Sequence, residues 1–128
     1  MDFEGIVIEE SLESPSVLKQ MQVLSTEVQP AGEWHRTPWL KQWTLHTVRI
    51  PEAEAAELAE AIQAALDREH PASWYADFKN DTTHYIVFRD RIFVIGRRDA
   101  VAYREAQQYG IGHGLPPHQA DFMALLDG

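Results

Sequence analysis

Side chains capable of chemistry concentrate in two segments of this chain. Thr37 to Arg49 reads TPWLKQWTLHTVR, and Trp74 to Arg89 reads WYADFKNDTTHYIVFR. Both mix aromatic rings, histidine and fixed charges in strand-like patterns, and a polar group buried in a sheet without a partner costs about 1 to 3 kcal/mol. Such groups must be hydrogen-bonded, ion-paired or reserved for a ligand. Asp77 beside His46 or His84 would form an acid-base pair, because a nearby carboxylate sets the imidazole tautomer and raises its pKa. Trp39, Trp43, Tyr75 and Tyr85 offer flat apolar walls, while Gln42, His46, Lys79 and Arg89 offer donors. That combination fits a pocket for a small anionic or aromatic molecule, with Arg89 placed to grip a carboxylate or phosphate bidentately. The same composition also suits a protein interface, which would make the chain a homodimer or an adaptor. A purely structural reading pairs Asp77 with Lys79 or Arg89 across strands and uses Trp43 and Trp74 as core anchors. The small-molecule pocket is the preferred reading, with acid-base catalysis and protein interaction as alternatives; no cofactor is specified.

Other chemistries lack their residues or their spacing. Cysteine is absent, so thiolate chemistry and disulfides are excluded. The six histidines (His35, His46, His70, His84, His113 and His118) contain no i, i+4 pair and no HExxH motif, so no metal site is expected. Ser11, Ser14, Ser16, Ser25 and Ser73 lie outside any G-x-S-x-G elbow. Gly110, Gly112 and Gly114 follow a helix, whereas a phosphate-binding glycine loop follows a strand and opens a helix. A net charge of −9 argues against holding nucleic acid through its phosphates. Arg89, Arg91, Arg97 and Arg98 nevertheless form a local cationic group, better suited to a small anion than to a polymer, unless they pair with the acidic run from Glu52 to Glu69.

The elements that would position these groups follow from periodicity. Phe3 to Glu9 alternates as a first strand, and Ser14-Pro15 opens a short helix reaching Gln20, with Ser14 as its cap. Met21 to Val28 and Trp39 to Ile50 are further strands, joined by a loop holding Trp34 and His35 that would act as a lid. Pro51 to Glu69 reads as an amphipathic helix with Leu58, Ile62, Ala65 and Leu66 on its apolar stripe, ended by Pro71. Trp74 to Lys79, His84 to Arg89 and Ile92 to Ile95 form a meander with a tight turn at Asp90-Arg91. Asp99 caps a helix packed through Val101, Ala102, Ala106 and Tyr109 and stopped by Gly110, and Pro116 to Leu126 forms a closing helix.

Strand parity then sets the site. An odd turn at Asn80-Asp81-Thr82 would join Trp74, Ala76 and Phe78 with His84, Ile86 and Phe88 on one apolar face. The opposite face would hold Tyr75, Asp77, Lys79, Tyr85 and Arg89 together.

These elements predict one α+β domain over residues 1–128, with a mainly antiparallel sheet of about five or six strands, helices on one face, and a ferredoxin-like element order at the start. The blocks EGIVIEESL, TPWLKQWTLHTV, WYADFKND and HYIVFR resemble a family of short prokaryotic proteins without an assigned activity. The resemblance spans Phe3 to about Phe122; it implies a discrete domain and supplies no catalytic residue, substrate or cofactor. The N-terminal MDFEGIVIEES lacks the basic start and apolar core of a signal peptide, and no run has the length of a membrane span, so a cytoplasmic protein without membrane or nucleic-acid partners is expected.

Overall fold

The computed structural model describes residues 1–32, 40–67 and 74–115. The expected lid with Trp34 and His35, Trp39, the helix stop at Pro71 and the closing helix from Pro116 lie outside the described residues. Strand β1 (Phe3–Ile8) is followed by 3-10 turns at Glu9–Ser11 and Pro15–Gln20, then by β2 (Gln22–Pro30) and β3 (Gln42–Ile50). The short helix expected after Ser14 is therefore 3-10 in type, and Ser14 makes no side-chain cap. A 3-10 turn at Glu52–Glu54 leads into α1 (Ala55–Ala65). The meander β4 (Tyr75–Lys79), β5 (Thr83–Phe88) and β6 (Ile92–Gly96) and then α2 (Ala100–Gly112) complete the described chain.

All of these strands belong to one antiparallel sheet of order β2-β3-β1-β4-β5-β6. The chain skips over the position of β3 between β1 and β2, and over β1 between β3 and β4. That is the interleaving of a ferredoxin-like β-α-β-β-α-β unit, with 3-10 turns in place of its first helix. The α+β domain is as expected; the placement of its helices is not.

Residues directly opposite each other in an antiparallel ladder share a face. The registers put Phe3, Val7, Val48, Ile50, Ala76, Phe78 and Val87 on one face, where they form a cluster with Leu58, Ala59 and Ile62 of α1. They put Tyr75, Asp77, His84, Ile86, Phe88, Phe93 and Ile95 on the other, where Tyr103 and Ala106 of α2 and then Leu115 close a second cluster. Helices thus cover both faces. Strand β5 shows why in its own sequence: Ile86, Val87 and Phe88 are consecutive and all buried, as in a strand covered on both sides.

The odd turn between β4 and β5 is replaced by an even one. The Asn80 N–H bonds the Thr83 carbonyl at 2.9 Å, only Asp81 and Thr82 remain in the loop, and Lys79 pairs with His84. The Asn80 side-chain carbonyl selects this closure by accepting the Thr82 and Thr83 N–H groups at 3.0 and 2.9 Å. Trp74, Ala76 and Phe78 consequently share a face with Tyr85 and Val87, and the single polar face expected from parity is not assembled.

Two helix ends also differ from expectation. Helix α1 stops at Ala65, short of Glu69, because Leu66 turns extended (ψ 141°) and bridges Leu12. The Asp67 N–H bonds the Ser11 carbonyl and the Glu13 N–H bonds the Ala65 carbonyl, both at 2.7 Å, so backbone pairing overrides helix propensity. Helix α2 runs through Gly110. Its stop is Gly114 at φ 96°, where bonds from the Gly114 N–H to Ile111 and from the Leu115 N–H to Gly110 form a Schellman cap. Gly110 instead lets the helix approach the sheet, since a Cβ there would lie 3.0 Å from Leu115 and 3.4 Å from Phe88. Val101, expected in the packing stripe, is 62% exposed, and Tyr103 takes its place in the core.

Gly5 marks the closest approach of two strands. It stands opposite Phe78, and a Cβ on Gly5 would run into the Asp77 carbonyl and, at 2.6 Å, the Phe78 Cα. Relief requires backbone movement in the centre of the sheet, so Gly5→Ala should destabilise by at least about 2 kcal/mol. A urea unfolding midpoint equal to that of the parent would show that β1 and β4 can part without cost.

Candidate functional site

The even hairpin makes Asp77 and His84 diagonal neighbours on the α2 face, since Asp77 pairs with Ile86 and Lys79 with His84. His84 Nε2 lies 2.7 Å from Asp77 Oδ2, and His84 Nδ1 lies 2.9 Å from the Tyr103 hydroxyl. Tyr103 is delivered by the first turn of α2, fixed by Asp99, whose side chain accepts the Ala102 N–H at 3.1 Å. A carboxylate only accepts, so Nε2 donates to Asp77, while Nδ1 and the Tyr103 hydroxyl share the second bond. The Arg97 guanidinium lies close enough to Tyr103 for its charge to act on the phenol.

Arg97 is held by the Asn80 carbonyl, which accepts from its guanidinium at 2.5 Å, while the Arg97 backbone N–H bonds the Thr82 carbonyl. Asn80 is buried and ties these parts together, since its amide also donates to the Met1 carbonyl at 3.0 Å. Nearby, burial and the charge of Arg97 both lower the pKa of the Lys79 ammonium, against an opposing pull from Asp77. Burial raises the Tyr75 phenol well above its ordinary value, with Asp77 adding to the effect. Burial also raises Tyr103, partly offset by Arg97.

Beside this chain of bonds the β4–β5 turn and the β6–α2 junction enclose an open cleft of about 520 Å³, lined by Asp81, Thr82, Gly96, Arg97, Arg98 and Asp99. Its donors are the two guanidiniums and the Thr82 hydroxyl, and the positive end of the α2 dipole opens onto the same side. His84 itself is fully buried with both ring nitrogens engaged, so it does not line the cleft.

The residues expected at the site are dispersed. Asp77 and His84 meet; His46 does not join them, because it pairs with Val7 on the opposite face and bonds Thr26 Oγ1 at 2.8 Å and Glu9 Oε1 at 3.0 Å. Tyr75 and Lys79 share the Asp77 face, whereas Tyr85 lies on the α1 face, stacked on Phe78 with ring centroids 4.9 Å apart. Arg89 donates to the Asp67 carbonyl at 3.3 Å, and Gln42 starts β3 opposite Pro30. Trp43 and Trp74 contact each other at 5.3 Å between centroids, as core anchors do. Trp39 lies outside the described residues. Asn80 and Tyr103 were not expected in this role. The Asn80-Asp81-Thr82 run was a legible side-chain turn signal, and Tyr103 follows the cap residue Asp99 by one helical turn.

Among the described residues no group of three or more His, Asp or Glu side chains converges as a metal site, and no helix is long and apolar enough to cross a membrane. No family model, curated protein or solved structure matches the chain. What the domain does must therefore be argued from these side chains.

The raised phenols carry a pH signature. Tyr75 and Tyr103 keep their protons in the folded protein above the ordinary value of 10.0, whereas the unfolded chain loses them there. Their contribution is complete below about pH 10 and drains away as pH rises through their folded values, because the native state then binds more protons than the unfolded one. Urea unfolding followed from neutral to alkaline pH should show stability falling above about pH 10, less steeply in Tyr75→Phe. Tyr103→Phe should in addition cost about 1 to 3 kcal/mol at neutral pH, by leaving buried Nδ1 without its hydrogen-bond partner.

Proposed function

We propose that this domain binds a small anion, a carboxylate or a phosphorylated molecule, in the cleft formed by the β4–β5 turn and the β6–α2 junction. The observation that carries this reading is Arg97: its guanidinium is oriented from behind by the carbonyl of buried Asn80 while it lines the cleft. A pre-oriented guanidinium loses little freedom on binding and presents paired donors to planar or tetrahedral oxyanions. Arg98 and Thr82 add donors along the same wall, and Lys79 adds positive charge close to Arg97. The volume lies within the range of about 300 to 1,000 Å³ typical of small-molecule sites. The two arginines share the lining with Asp81 and Asp99, but the Asp99 carboxylate is committed to the Ala102 N–H as the cap of α2, which leaves the guanidiniums as the groups open to an anion. The lining contains no aromatic ring, so the anionic part of the sequence-based expectation is favoured over the aromatic part.

The test is thermal unfolding against inorganic phosphate, sugar phosphates, nucleotides and di- and tricarboxylates. A ligand at about 100 times its dissociation constant adds roughly 2.7 kcal/mol, a shift of several degrees for a domain of this size. The shift should disappear in Arg98→Ala, shrink in Arg97→Lys and persist in Arg89→Ala, whose side chain bonds Asp67 away from the cleft. A shift lost in Arg89→Ala and kept in Arg98→Ala would move the site elsewhere.

A further inference from the structure

The cleft at the β4–β5 turn and the β6–α2 junction holds a carboxylate that the fold does not use. Its lining sets two guanidiniums, Arg97 and Arg98, against two carboxylates, Asp81 and Asp99. Asp99 is committed as the cap of α2, through the Ala102 N–H at 3.1 Å. Asp81 is exposed in the two-residue turn, and among the described residues its side chain accepts no hydrogen bond and joins no ion pair. Its charge reaches the Met1 ammonium, but that group is itself paired with Glu52 at 2.7 Å. Arg98 is likewise exposed, with no side-chain bond among the described residues. We infer that the cleft takes a zwitterion, a small molecule whose carboxylate or phosphate lies on Arg97 and Arg98 and whose protonated amine lies on Asp81.

This assignment rests on the proposal that the guanidiniums hold an oxyanion, and the turn supplies the second pole. The Asn80 carbonyl belongs to the peptide bond that leads into Asp81, and it accepts from the Arg97 guanidinium at 2.5 Å, while the Arg97 backbone N–H bonds the Thr82 carbonyl. The cation and the carboxylate are thereby fixed against the same turn. Even so, no ion pair joins Asp81 to Arg97 or Arg98 among the described residues. Opposite charges held on one cleft wall without neutralising each other are satisfied together by a ligand that carries both. Charge balance separates this ligand from a simple anion. Two positive and two negative side chains in the lining sum to zero, so a net-neutral ligand leaves the cleft balanced. A dianion would instead set its surplus charge beside Asp81, on a chain that already carries −9. A neutral polyol would leave both guanidiniums without an anion.

Calorimetric titration of the full chain with matched pairs of compounds tests this: β-alanine with propionate, γ-aminobutyrate with butyrate, and phosphoethanolamine with ethyl phosphate, at neutral pH and one ionic strength. In the pair whose length spans the two poles, the aminated member should bind about tenfold tighter or more, the usual worth of a hydrogen bond between charged groups. Asp81→Asn should erase that preference, weakening the aminated member and tightening its counterpart, and Asp81→Glu should keep it. Because the Asp81 side chain is exposed and makes no bond among the described residues, neither variant should lower the unfolding temperature. Arg98→Ala should weaken both members alike. Unaminated members that bind as tightly as their counterparts, with binding lost in Arg98→Ala, overturn the zwitterion and leave the anion site standing. A preference that survives Asp81→Asn overturns it as well, and the absence of binding by every compound overturns both the zwitterion and the anion site.

Discussion

The hydrogen bonds that Asn80 makes around the β4–β5 turn govern the rest of the molecule. Its side-chain carbonyl accepts two backbone N–H groups and closes the hairpin over two residues, so the parity of β5 relative to β4 is decided by one amide. A strand shifted by one position turns every side chain to the opposite face. With this parity Val87 and Tyr85 join Phe78 under α1, while Ile86 and Phe88 join Tyr75 under α2. His84 comes within 2.7 Å of Asp77, and Tyr103 completes its hydrogen bonding from the helix above. The opposite parity would separate that pair and leave a histidine in the α1 core.

The same amide links the core to the surface. Asn80 accepts from Arg97 through its main-chain carbonyl and donates to Met1, so the chain start, the hairpin turn and the β6–α2 junction meet at one buried residue. The bonds joining Asp77, His84 and Tyr103, and the separate one from Arg97 to Asn80, are better regarded as positioning than as a large source of stability, since buried polar networks gain little over an apolar core. Their effect here is directional. Asn80 sets a guanidinium at the edge of a cleft, while His84, Asp77 and Tyr103 fix one another beneath α2.

Helices on both faces explain why the polar face expected from strand alternation is absent. Tyr75 and Asp77 alternate with Ala76 and Phe78 as they would on a half-solvated strand, and the inference from such alternation is a wet face. Here α2 covers that face over β5 and β6, and the polar groups beneath it are retained because they bond one another. Val87 lying between Ile86 and Phe88, an apolar run rather than an alternation, was the local sign of a strand buried twice. The cationic group around Arg97 and Arg98 was visible as a charge cluster, but its two outer members serve differently: Arg89 bonds the Asp67 carbonyl, and Arg91 lies 4.3 Å over the Phe93 ring.

Sequence alone determined the kinds and order of the elements: the alternating first strand, the alanine-rich helix, the meander, the helix capped by Asp99, and from these one α+β domain with a ferredoxin-like start. Those features depend on neighbours a few residues apart, whose periodicity and capping chemistry are written in the chain itself. Tertiary structure decided which faces the helices cover, where α1 yields to pairing between Leu66 and Leu12, and which polar residues meet. Asp77 with His84, Tyr103 with His84 and Arg97 with Asn80 are 7, 19 and 17 residues apart, contacts that arise only once the hairpin register and the path of α2 are set. His46, read from the sequence as a partner for Asp77, lies on the other side of the sheet for the same reason: the face a strand residue occupies is a property of its pairing, and pairing is decided between strands rather than within them.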